Sequence, residues 1–384
     1  MKIAYQLAWK NLIGAGLRTW LNVGVLAFSF LVIVFYNAML DGWNHQAKFE
    51  SIKWEYAHGQ LINENYDPYD PFTVQDGHGI FPGKIDNLCP LLIRQGTLYP
   101  NNRMLTVALM GIDTSQRIVS IPVEKLKSKY GEFPVIMGRN MANSLKVKVG
   151  DQILLRWRDK NGTFDATEVT VSGIFKTDVP TVDNGKVWMS IQKLWKITDL
   201  NHHATYFVAN QNFKNPNIPG WKYKSQEALL QDITNIIAMK KTSSSIIYIL
   251  LLSIALLAIF DTQVLSVFRR QKEIGTYVAL GMTRSQVVGI FTVEGSMYSV
   301  FAIIISGIIG IPLFAFLAKT GISFPTNSQD VGFAMAETIY PIFGIKLILG
   351  SILLVMVSAT IVSFLPTRKI TKMNPVDALK GKLQ

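Results

Sequence analysis

The stretch Phe268-Arg269-Arg270-Gln271-Lys272-Glu273-Ile274-Gly275-Thr276-Tyr277-Val278-Ala279-Leu280-Gly281 lies between two long apolar segments, and its reading decides the fold. It is short, basic and rich in helix formers. Charges at this density are too costly to sit in hydrocarbon. The segments on either side are each long enough to cross it. A charged helix tethered at both ends to membrane spans is well placed to pass force between a soluble partner and a membrane bundle.

Working outward, the chain offers four windows of about 20 mainly apolar residues, the length that crosses roughly 30 Å of hydrocarbon. They run over 20–40, 246–267, 287–318 and 342–364. The first is too long for a signal-peptide core and lacks a small-residue cleavage pattern, since Tyr36 stands two residues before Ala38. It is expected to be a retained anchor. The spans are arranged one plus three. Between the first and second lies 41–245, and between the third and fourth only 319–341. Before the first span, Tyr5, Trp9, Leu12 and Ile13 form one apolar stripe, so residues 1–19 are expected to hold an amphipathic helix on the inner membrane face.

With 49% hydrophobic and 17% charged residues, the composition fits a membrane protein. The formal charge of +12 would suit a nucleic-acid partner, but its distribution argues against one. Lys2, Lys10 and Arg18 precede the first span; Arg269, Arg270, Lys272 and Arg284 lie in the 268–286 connector; Arg368, Lys369, Lys372, Lys380 and Lys382 occupy the 365–384 tail. The 319–341 loop holds Lys319 with Asp330 and Glu337. By the positive-inside rule both termini and the connector face the cytoplasm, and 41–245 lies outside a plasma (inner) membrane.

The outer segment reads as an α+β domain. Gln152–Arg158 and Glu168–Phe175 are β-rich, and the Asn161-Gly162 pair between them favours a hairpin. Gly138–Leu145 reads as a short helix, Lys186–Ile191 as a strand turning helical to Ile197, and Ser225–Met239 as a helix returning to the membrane. Residues 66–71 and 77–82 read as irregular. Cys89 is the one cysteine, so no internal disulfide forms and an apolar core must hold the domain.

Charges inside the spans are functional candidates by default. Here they are Asp261, Glu294 and Lys346, each near an interface, where hydrogen bonding between helices also accounts for them. Gly289, Gly295, Ser296, Ser299, Ser306, Gly307 and Gly310 make the third span a close-packing one. The chain has no G-x-x-x-x-G-K-[ST] loop to cradle ATP, His202-His203 lacks a third metal ligand, and no nucleophile triad or carboxylate pair can be read from spacing. No catalytic residue, metal or cofactor is expected in this chain.

The connector, as R-x-x-E-I-G-x-x-x-A-L-G, closely resembles the coupling segment of ABC-transporter permeases of the MacB/FtsX/LolC type. Those have one span, a large outer domain and three further spans. Gly138–Asp151 and Val171–Phe175 are similar to the family's "G-R-x-L-A-x-x-L-x-V-x-V-G-D" and "V-x-G-I-F" runs, and Glu294 matches an acidic residue opening the third span. Leu365–Ile370 with Asn374–Lys380 looks like its closing "P-x-R-x-A … P-V-E-A-L-R". Tyr277-Val278 departs from the family, which often has a basic residue there, and 41–130 shows little similarity.

The resemblance implies a permease subunit without its own ATP site, paired with a second permease and a cytoplasmic ATPase dimer that binds the ATP. It implies that Arg269, Arg270, Lys272, Glu273, Ile274, Gly275, Leu280 and Gly281 contact that ATPase. Within the family, lipoprotein release is the first expectation, because Ala57-His58-Gly59-Gln60-Leu61 is similar to the "G-H-x-Q-I" run of the LolC/LolE branch. Lipoprotein cargo and a periplasmic or outer-membrane partner would follow from it. MacB-like efflux of peptides or drugs and FtsX-like signalling without transport remain open.

Overall fold

A computed structural model describes residues 16–82, 87–101, 103–127, 131–214, 218–323 and 338–372. The expected amphipathic helix before residue 16, most of the 319–341 loop and the Asn374–Lys380 pattern lie outside the described residues. In chain order the helices are α1 Gly16–Ser51, α2 Arg139–Leu145, α3 Pro180–Asp183, α4 Ile191–Thr198, α5 Gln226–Leu229, α6 Gln231–Arg269, α7 Gln271–Ala279, α8 Arg284–Thr320 and α9 Ile345–Thr367. The strands are β1 Gly59–Asn63, β2 Gly79–Ile80, β3 Leu88–Tyr99, β4 Leu105–Ile112, β5 Pro134–Gly138, β6 Gln152–Arg158, β7 Phe164–Phe175, β8 Lys186–Ser190, β9 His203–Ala204, β10 Tyr206–Ala209, β11 Trp221–Ser225, β12 Ile322–Ser323 and β13 Thr338–Ile339. Two compact units result: one of Met1–Gly42, Ile237–Ile322 and Ile339–Gln384, the other of Trp43–Ile236 and Ser323–Thr338.

The first unit is helical. Helices α1, α6, α8 and α9 are each long and apolar enough to cross a membrane. Helix α6, at 39 residues, is about 58 Å long, well beyond the hydrocarbon thickness. The helical core joins Leu26, Phe30 and Val34 of α1 to Ala255 and Ile259 of α6, Tyr298 and Phe301 of α8 and Val355 of α9. Lipid offers no hydrophobic drive between helices, so small residues and hydrogen bonds fix their contacts. Asn22 donates to Thr262 Oγ1 at 2.6 Å and to the Ala258 carbonyl at 3.1 Å, and Ser306 Oγ donates to the Ala27 carbonyl at 3.1 Å. A Cβ on Gly295 would stand 2.4 Å from Ser363 and 3.0 Å from Gln263 Cδ, so α8 meets its neighbours there at backbone distance. Gly295→Val is expected to cost about 1–3 kcal/mol by overpacking. The check is the unfolding temperature in detergent, and an unchanged value would mean the contact does not hold the bundle.

The second unit is a mixed α/β domain around a nine-stranded sheet ordered β11-β1-β10-β3-β4-β8-β5-β7-β6. Strand β3 serves two neighbours on one edge. Its first residues pair with β10 (Leu91 opposite Tyr206), and its last pair with β6 (Leu98 opposite Leu155). Six strands therefore close on themselves, which removes the exposed edge that β6 would otherwise present. Alternation along β4 splits the core: Val107 and Leu109 enter one cluster with Leu92, Val135 and Leu194, while Met110 and Ile112 enter another with Trp54, Ile136 and Trp188. Cys89 is buried, and burial pushes its thiol up to about 12, so it acts as a small apolar residue.

The expected hairpin forms. Asp159 Oδ1 accepts from the Asn161 and Thr163 amides, and Gly162 takes the positive φ of +81° that the turn needs. The helices at 138–145 and 191–197 also form, as α2 and α4. The expected Ser225–Met239 helix breaks at Leu230, and its second part continues without interruption to Arg269. Six of the sheet's nine strands, β1, β3, β4, β5, β10 and β11, have no expectation attached. Strands β1, β3 and β10 are largely buried on both faces, so the apolar/polar period-two pattern is absent from them.

In the same unit His78 Nδ1 lies 2.9 Å from His203 Nδ1. Burial, then the nearby Arg94 and His203 charges, hold His78 down at about 4. The unfolded chain would protonate this ring near 6.5, so the neutral pair's contribution is complete above that pH and lost as pH falls towards 4. Solvent reaches part of the ring, which limits the effect to about 1–2 kcal/mol. Thermal melts from pH 7.5 to 4.5 should slope less for His78→Gln than for wild type; equal slopes would place the titration elsewhere.

Candidate functional site

The connector packs as a compact knot at one end of the helical unit. After α6 ends at Arg269, α7 starts at once, and its C-terminus closes through Gly281 N–H to the Val278 carbonyl at 3.1 Å and Met282 N–H to the Tyr277 carbonyl at 3.1 Å. This paired closure requires the left-handed Gly281, whose φ is +94°. Helix α8 then begins with a capping box: the Thr283 hydroxyl accepts from the Gln286 amide while the Gln286 side chain accepts from the Thr283 amide. Both turns are encoded locally, so α7 is a defined element.

Its inner side is apolar. Ile274 is 2% exposed and packs with Val267, Val287, Val288, Phe291 and Ile370, with Tyr277, Val278 and Met282 at the margin. Arg270 locks this contact. Its Nε donates to Glu273 at 2.7 Å, one Nη donates to both Glu294 oxygens at 2.8 and 3.0 Å, and the guanidinium lies over the Phe291 ring at 4.7 Å. Burial alone would lower the Arg270 pKa, but Glu294 and Glu273 outweigh it and the net shift is upward. A planar fork held by two carboxylates and a ring face is geometry that lysine cannot supply. Nearby, Arg284 donates to the Thr371 carbonyl at 2.8 Å, and Lys369 Nζ sits 5.5 Å from the Phe268 ring centre.

The outer side carries Arg269, Lys272, Glu273, Thr276, Leu280 and Gly281, all exposed, with Leu280 at 78%. The eight residues expected to meet a partner therefore divide. Arg269, Lys272, Glu273, Leu280 and Gly281 are presented outward. Ile274 and Gly275 are buried, and Arg270 points into its pair with Glu294. Ile274, expected among the residues that contact the partner, lies one turn from Arg270 on the face covered by α8.

Of the three intramembrane charges, the structure brings only Glu294 into this knot, where its side chain is 10% exposed. Asp261 is exposed on α6, nine residues or about 13 Å before Arg270. Lys346 is exposed at the start of α9, about 30 Å along that helix from Thr367, whose hydroxyl meets that of Thr292 at 3.1 Å. Phe291 has no sequence expectation of its own attached, and Arg284 and Ile370 are expected only as a connector charge and as part of the tail. Phe291 stands three residues before Glu294, on the same helix face, and that spacing was the available signal. Among the described residues, no group of three His, Cys, Asp or Glu side chains is arranged to hold a metal.

Residues 245–375 match the family described as FtsX-like permease C-terminal. The chain is 22% identical over 331 residues to the lipoprotein-releasing system transmembrane protein LolC of Xylella fastidiosa, covering 75% of this chain and 76% of that protein. The LolC of a second strain is 24% identical over 57% of this chain and 58% of its own length. The macrolide export ATP-binding/permease protein MacB of Neisseria gonorrhoeae is 23% identical over 76% of this chain, which spans 46% of that longer protein. Among solved structures, the extracellular domain of the transporter YknZ from Gram-positive bacteria overlaps 40% of this chain and 83% of its own at 13% identity, with a TM-score of 0.25.

Proposed function

We propose that this chain, a multi-pass membrane protein carrying an FtsX-like permease domain, is the permease subunit of an ABC transporter that takes its motion from a separate ATPase. The observation that carries the reading is the two-sided α7: an exposed face of Arg269, Lys272, Glu273 and Leu280, backed by a buried clamp of Arg270, Ile274, Phe291 and Glu294. A partner pressing on the outer face would move α8 with α7, because the clamp leaves no slack between them. Helices α1 and α6, in which the chain passes from one unit to the other, would carry that motion outward. On this reading nucleotide binding falls to the partner, and the sequence's lack of a G-x-x-x-x-G-K-[ST] loop supports it. Both termini and the connector then face the cytoplasm, and a second permease copy or relative completes the bundle.

For cargo, lipoprotein release is our first reading. It is supported by the length of the match to the LolC proteins and by the Ala57–Leu61 run, whose Gly59–Leu61 part opens the wholly buried β1. The test is co-purification from native membranes in mild detergent, with the associated subunits identified by mass spectrometry. A bound ATPase is the expected result. Its absence from wild-type preparations would sink the transporter reading and favour a scaffold role.

A further inference from the structure

The outer unit contains a cleft of about 520 Å³ bounded by the Pro71–His78 segment, the middle of β3, the end of β6 and the 159–164 hairpin. Three guanidiniums line it. Arg94 is 7% exposed; it donates to the Val74 and Gln75 carbonyls at 3.3 and 3.1 Å, and its Nε has no partner among the described residues. Arg156 and Arg158, two residues apart on one face of β6, both stack on the Phe164 ring, at 3.9 and 4.3 Å from its centre. Stacking uses the flat face of a guanidinium and leaves its in-plane N–H donors free.

The acids at the cleft do not neutralise these groups. Asp159 spends one oxygen on the amides of its own turn, and Lys160 pairs with Asp199. Asp76 acts on Arg94 only through space, and burial still pulls the Arg94 pKa down. None of the three arginines forms an ion pair with a described carboxylate. A buried cation held mainly by carbonyls, with an orphan donor, is costly for a fold unless something else uses it. Pro71, Phe72 and Val74 give the cleft wall an apolar part, with Phe72 exposed. The cleft thus joins oxyanion-matching forks to apolar surface in a volume suited to a small ligand.

We infer that this cleft binds a phosphate-bearing small molecule, either a soluble phosphate ester or the headgroup of a phospholipid, with Arg94 at its base and Arg156 and Arg158 at its mouth. The inference involves the outer unit alone and stands whether or not an ATPase couples to α7.

The test is calorimetric titration of the full-length protein in neutral detergent with inorganic phosphate, sn-glycerol 3-phosphate and dihexanoyl-phosphatidylglycerol, at fixed ionic strength. Wild type should bind at least one of the three. Arg156→Ser/Arg158→Ser, a change on exposed strand positions, should weaken binding about tenfold or more. Arg94→Met should abolish it while leaving the melting temperature equal or raised, since a poorly paired buried charge is removed. Binding of the soluble esters assigns a free phosphate compound; binding of the short-chain lipid alone assigns a headgroup. No binding by wild type, or equal binding by the double variant, overturns the proposal.

Discussion

Lys272→Glu combined with Leu280→Asp is expected to remove ATPase co-purification while leaving the helical unit intact. Both side chains are exposed on the outer face of α7, and neither joins the apolar cluster around Ile274. The fold should therefore lose no more than about 0.5 kcal/mol. At a protein interface the change is severe, because a cation becomes an anion and an exposed apolar anchor becomes a charge. Interface anchors of this kind are each worth about 2 kcal/mol or more, so affinity should drop by roughly a thousandfold. The measurement pairs subunit recovery with a detergent melt. Full ATPase recovery by the double variant would show that α7 is not the docking element.

Glu294→Leu should have the second largest effect, acting on the clamp instead of the docking face. It strips Arg270 of two of its three carboxylate contacts and leaves a guanidinium over Phe291 that is only 20% exposed. Removing one partner of a buried pair costs about 3 kcal/mol, with Glu273 recovering some of it. A lower melting temperature is the first expected result. The more telling one is loss of coupling: the ATPase still co-purifies, but its activity no longer responds to the permease. Arg270→Met/Glu294→Leu should regain most of the lost stability, because an apolar pair of similar volume tolerates the site, yet coupling should stay low. If the double variant is no more stable than Glu294→Leu, the two side chains do not act as a pair.

The division of labour on α7 shows where sequence reasoning reached and where it stopped. Arg269 to Gly281 was recognisable as a charged element between spans, and its ends are written in local chemistry, with Gly281 closing one helix and Thr283 with Gln286 opening the next. Which side faces out was not legible. That depends on α8 and on Ile370, which lies about 100 residues further along the chain and covers Ile274. Likewise Glu294 was noticed because a carboxylate is conspicuous in an apolar run, but its partner across 24 residues came only with the packing. In the second unit, the hairpin around Asn161-Gly162 and the helices α2 and α4 carry their own turn and periodicity signals. The strands β1, β3 and β10 do not, being largely buried on both faces.

What the sequence determined by itself was the partition of the chain: four apolar helices, a charged connector between two of them, and a large α/β segment after the first. Hydrophobic length and charge placement act locally and additively, so they can be read one window at a time. Only the tertiary structure decided which residues of the connector are presented and which are clamped. It alone closed β6 onto β3 and gathered Arg94, Arg156 and Arg158 around one cleft. Those outcomes rest on contacts between residues far apart in sequence, whose energy exists only once the backbone has brought them together.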